Sequence, residues 1–93
     1  MYQPKPLDTD IIELPEELEE LLEQLAENTH EVWAAQRLKD GWRYGERRND
    51  SERLHPCLVP YNELPEEEKE YDRNTTREVL KAILATGFSI EKQ

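Results

Sequence analysis

A chain of 93 residues with a formal net charge of −10 and 35% hydrophobic residues has room for one domain with a modest core. The acidic total excludes a broad positive surface for duplex nucleic acid, and the single cysteine, Cys57, excludes an internal disulfide and suits a reducing compartment. The N-terminal MYQPKPLDTD lacks the apolar core of a signal peptide and no apolar run is long enough to span a membrane, so a soluble, cytoplasmic protein is expected.

Charge is unevenly spread: −8 over residues 1–27, +1 over 28–59 and −3 over 60–93, which leaves an arginine-rich island in an acidic chain. Residues 1–13, with Pro4 and Pro6, read as an extended arm anchored by Ile11-Ile12. Pro15 sits where a first helical residue belongs, and Glu16 and Glu17 suit the positive end of a helix. Leu18, Leu21, Leu22, Leu25, Thr29, Val32, Trp33 and Gln36 then recur at helical spacing, which predicts a long helix over 16–39, stopped by Asp40-Gly41, with Asn28-Thr29 its weakest point.

Residues 41–64 have no helical period, and two glycines, Asn49-Asp50, Pro56 and Pro60 mark a long irregular loop. Cys57-Leu58-Val59 is its only extended candidate. Pro65 and the glutamates after it open a short helix to Tyr71. Thr75 and Glu78 have capping-box spacing and predict the start of another helix, whose apolar face of Val79, Leu80, Ile83 and Leu84 ends at Gly87. The expected fold is mainly α: a long first helix, a loop with at most short strands, and a C-terminal helix packed on the first through Leu18, Leu21, Leu22, Leu25 and Val32.

Two histidines and one cysteine are too few for a zinc site of nitrogen and sulfur ligands, and no cofactor is expected. The glutamates of 16–23 lie opposite the leucines and read as a solvated face. With no phosphate loop and no Gly-x-Ser-x-Gly elbow, an enzyme is not expected. What remains is aromatic plus arginine: Trp33, Arg37, Trp42, Arg43, Tyr44, Arg47, Arg48 and Arg53. Trp33 and Arg37 are neighbours on one helix face. That pair serves equally as a structural cation–π contact or as a stacking surface beside a phosphate-binding guanidinium.

The ordered motifs ENTHEVW with Arg37 beyond it, GWRYG, HPCLVPY, LPEEEKEYDR and TTREVLKAILATGF resemble the ryanodine-receptor repeat over residues 14–88. The resemblance implies a single copy of the prokaryotic or phage type, between the arm at 1–13 and a tail at 89–93. It also implies a helical module with short-strand connections, and pairing with approximate twofold symmetry, as between repeats of the calcium-release channels. Sensing of a nucleotide-like ligand is implied as well. Carried over position by position, the residues facing such a ligand are Trp33, Arg37, His55, Cys57 and Asp72; the last three stand where the nucleotide-holding copy has amide or arginine side chains.

Two functions are therefore expected to compete. One is a non-enzymatic module for a small anionic ligand, with Trp33 and Trp42 walling the pocket, Arg37 with Arg43 or Arg47 holding the anion, and His55 and Asp72 beside them. The other is an interaction or scaffolding module acting as a homodimer without a small ligand. Fold argues equally for both.

Overall fold

The computed structural model describes all 93 residues. Helix α1 spans Glu16–Lys39 and helix α2 spans Glu66–Ala85; between them lie strands β1, Arg43–Tyr44, and β2, Leu54–His55, and a 3₁₀ turn at Tyr61–Glu63. The C-terminal helix packs on the first. No helix is long and apolar enough to cross a membrane.

Both helices start the same way. Pro15 and Pro65 stand just before the first helical residue, in extended conformation, so a proline lacking an N–H ends the preceding chain. Each proline carbonyl accepts two of the helix's orphan N–H groups: Leu18 and Glu19 on Pro15 at 2.9 and 3.1 Å, Glu68 and Lys69 on Pro65 at 3.0 and 3.1 Å. Three glutamates in each first turn complement the dipole. Gly41 (φ 90°) and Gly87 (φ 100°) end the helices in the left-handed region, which costs a residue without Cβ little.

Helix α1 runs unbroken through Asn28-Thr29, where the Thr29 hydroxyl donates to the Leu25 carbonyl at 2.9 Å. Helix α2 corrects the expected division into two helices. Thr75 lies inside it and caps nothing; Glu78 instead accepts a hydrogen bond from the Thr9 hydroxyl at 2.8 Å. Contacts with α1 carry α2 through its polar centre: the Thr29 and Thr76 hydroxyls share a hydrogen bond at 3.2 Å, and Arg73 Nε donates to Glu23 Oε2 at 2.6 Å. Arg73 Nη1 also reaches Glu66 and Glu70, at 3.1 and 3.0 Å, and Arg77 reaches Glu19 at 3.4 Å.

The inward line of α1 is Leu22, Ala26 and His30. Ala26 packs with Tyr61 and Leu64, flanked by Cys57 and Val59, so α1 lies against both α2 and the 57–64 segment. That rotation corrects the expected stripe. Leu22 is buried, but Leu21 (45% exposed) and Val32 (50%) face outward, as do Val79 and Ile83 of α2. Leu21 lies about 100° round the helix from Leu22, so turning one inward turns the other away. Tyr61 Oη donates to Glu23 Oε1 at 2.7 Å, which ties this core to the Arg73 network. Burial, then the bond to Glu23, pushes the Tyr61 hydroxyl up to about 12. The bonds from Arg73 and Tyr61 hold the Glu23 carboxyl below its ordinary value.

The strands are parallel, Arg43 beside Leu54 and Tyr44 beside His55. The extended candidate Cys57-Leu58-Val59 is not a strand; Cys57 and Val59 pack inward instead. The chain reverses at Asn49, whose Oδ1 accepts from the Ser51 hydroxyl (2.8 Å) and the Glu52 N–H (3.1 Å). Gly45 is required by space: a Cβ there would stand 2.7 Å from Leu54 Cβ. The arm is anchored by Thr9, which is buried, rather than by Ile11, which is exposed.

Candidate functional site

His30, Trp33 and Arg37 follow one another along one side of α1. His30 Nε2 lies 2.7 Å from the Val59 carbonyl, and a carbonyl only accepts, so the ring carries its proton on Nε2 and is fixed in place. Trp33 stacks on that imidazole, with centroids 5.6 Å apart, and meets His55 edge-on at 4.9 Å. The Gly41 turn brings Trp42 back beside the helix end. The Arg37 guanidinium then lies 4.8 Å from the Trp42 centroid and 5.7 Å from that of Trp33. No carboxylate lies within ion-pair distance of Arg37.

These residues form one wall of a cleft of about 280 Å³, which the loop closes with Arg48, His55, Cys57 and Leu64 and α2 closes with Glu68 and Asp72. His55 Nδ1 accepts the Cys57 N–H at 3.0 Å, so the neutral ring carries its proton on Nε2. Burial first, then Arg48 and Arg37, lowers the pKa of His55. Burial first, then Glu68 and Asp72, raises that of Cys57. Asp72 is also raised, chiefly by burial and to a lesser degree by Glu68, with His30 opposing. Arg48 pairs with Asp50 at 2.8 Å on the exposed side of the loop. A roomier hollow of about 430 Å³ lies between the arm and α2, but it has no arginine, histidine or tryptophan, and its one carboxylate, Glu78, is held by Thr9.

A family model described as the RyR domain matches residues 2–92. The chain belongs to the RyR domain family. The match takes in the arm and most of the tail as well as every residue of the cleft.

Of the site residues expected from sequence, this RyR domain brings Trp33, Arg37, His55, Cys57 and Asp72 to one cleft. Trp42 stands behind Arg37, outside the lining. Arg43, in β1, and Arg47 are exposed and do not line the cleft; the loop arginine that does is Arg48. Glu68 and His30 are further lining residues not anticipated. Glu68 is four residues before Asp72, a spacing that signals a shared face once α2 is one continuous helix. Nothing in the local sequence separates Arg48 from Arg47. No three of the His, Cys, Asp and Glu side chains come together in a group able to hold a metal ion.

Proposed function

We propose that this RyR domain is a cytoplasmic, non-enzymatic binding module whose cleft receives a small, anionic, nucleotide-like ligand. The observation that carries the reading is Arg37: a guanidinium steadied by two indoles, without a carboxylate partner, on a cleft shared with Arg48. A phosphate supplies the anion that a guanidinium fork binds, and Trp33 lines the same cleft as an aromatic wall beside a base. A cleft of about 280 Å³ has room for one small molecule rather than a duplex. Binding without turnover fits the neighbouring groups, because burial and carboxylates hold the Cys57 thiol away from its reactive thiolate. His55 uses Nδ1 on a backbone N–H rather than on that thiol.

The test is thermal-shift screening against mononucleotides and dinucleotides, followed by calorimetry on the unaltered chain and on Arg37→Ala. A ligand at a hundred times its dissociation constant adds about 2.7 kcal/mol of stability. Failure of every nucleotide to stabilise the chain would remove the reading.

A second reading, a homodimeric interaction module, is favoured by a different observation: Leu21, Val32, Leu38 and Val79 on the helices, and Phe88 beyond them, are exposed. Sedimentation finding only monomer at high micromolar concentration would eliminate it.

A further inference from the structure

The cleft carries charge of both signs, Arg37 on α1 and Arg48 on the loop against Asp72 and Glu68 on α2. His30 and Arg37 are seven residues apart, which separates them by about 10 Å of helix rise. With Arg37 are Arg48 and His55, the imidazole whose basicity is depressed by burial first and then by those two guanidinium groups. His30 acts on Asp72, and Asp72 and Glu68 both act on the Cys57 thiol, while Glu68, one turn before Asp72 on α2, acts on His55 as well. Trp33 lies between His30 and Arg37 on α1. Neither Asp72 nor Glu68 has a hydrogen-bond or ion-pair partner, whereas Glu66 and Glu70 on the same helix both engage Arg73. A bare anion would need only the arginines. Two carboxylates without protein partners on the α2 side of the same cleft can accept from a ligand's donors.

Resting on the nucleotide reading of this cleft, we propose that Asp72 and Glu68 read the edge of the base, and that the base is guanine rather than adenine. A carboxylate only accepts hydrogen bonds. Guanine presents its N1–H and a 2-amino N–H side by side, so both carboxylate oxygens are satisfied at once. Adenine offers its 6-amino group beside the N1 lone pair, which faces a carboxylate oxygen without a proton between them. The phosphate points to Arg37 and Arg48, away from the carboxylates that would repel it. Burial raises the pKa of Asp72, so acid turns this acceptor into a donor and erodes the preference for guanine.

Calorimetric titration of the unaltered chain with GMP and with AMP, repeated on Asp72→Asn, Glu68→Gln and Arg37→Ala, tests the assignment. GMP is expected to bind about tenfold or more tighter than AMP, the scale of a charge-assisted hydrogen bond. Asp72→Asn should bring the two nucleotides close to parity by weakening GMP alone, while Arg37→Ala should weaken both alike. Glu68 is exposed, so Glu68→Gln keeps the test open should Asp72→Asn fail to fold; it should lower the preference in the same direction. The preference of the unaltered chain should also narrow as pH falls. Equal binding of GMP and AMP, or tighter binding of both to Asp72→Asn, would overturn the base assignment and leave the nucleotide reading standing. Binding of neither would overturn both.

Discussion

Arg73 and Arg37 both project from the paired helices, yet one is surrounded by carboxylates and the other by indoles. Arg73 donates to Glu23, Glu66 and Glu70, and through Glu23 it reaches the buried ring of Tyr61. Arg37 lies between Trp33 and Trp42, with unpartnered carboxylates in the same cleft but none in reach. In the first region charges satisfy one another and hold α1 to α2. In the second they are kept apart, and burial of Asp72 shows as a raised pKa that no salt bridge offsets. Charges that close on themselves belong to the fold, and charges held open are available to something else.

The sharpest separation of the two regions comes from the core beneath them. Leu22→Ala should cost about 2–5 kcal/mol of stability, because Leu22 is buried, and leave ligand affinity of the folded fraction unchanged. Chemical denaturation with parallel titration checks both halves. Arg37→Ala should do the reverse: a loss of about ten- to hundredfold in affinity for an anionic ligand, with no more than about 1 kcal/mol of stability. A large fall in melting temperature without a binding defect would make Arg37 a clasp over the tryptophans and erase the contrast.

The Glu23 link should be smaller and dependent on pH. Tyr61→Phe or Glu23→Gln should cost about 1 kcal/mol near neutrality, discounted for the exposure of Glu23. The Glu23 pKa is lowered by folding, so its contribution is complete above the ordinary value of 4.5 and disappears as pH falls through the folded value. Tyr61 runs the other way: raised to about 12, it contributes fully below the ordinary value of 10.0 and loses that contribution as pH climbs through the folded value. Ultraviolet titration should find one of the four tyrosines ionising late, and Tyr61→Phe should remove that step. Least of all, Arg77→Ala should change stability by less than about 0.5 kcal/mol, because its only ion pair is a long contact at the surface.

The ends of α1 are legible in sequence because Pro15 and Gly41 act through their own backbones, whatever surrounds them. The continuity of α2 is not. Asp72, Arg73, Asn74 and Thr75 read as an interruption, and the helix passes through them with the help of Glu23 and Thr29, residues far away in the chain. Two-residue strands leave no period to detect, so the pairing of residues 43–44 with 54–55 is invisible, and the apolar Cys57-Leu58-Val59 imitates a strand in its place. At the site, Trp33 and Arg37 are legible as helix neighbours, and the family resemblance points to His55, Cys57 and Asp72. Arg48 depends on how the loop reverses at Asn49, and Glu68 is hidden in a run of glutamates until α2 is whole.

The turn at the end of α1 has a thermodynamic consequence for whatever binds beside it. Asp40 and Trp42 both donate to the Arg37 carbonyl, at 3.1 and 3.0 Å, and Arg53 Nη1 donates to the Asp40 carbonyl at 2.6 Å, so the backbone that carries Arg37 is held from two sides. A free arginine side chain gives up on the order of 2 kcal/mol of rotamer entropy when it is immobilised. Here the two indoles take much of that loss at folding, so an incoming anion has less disorder left to remove. Trp42→Ala would leave the guanidinium charge in place and return its freedom, and the weakened binding should appear in a calorimeter as a less favourable entropy.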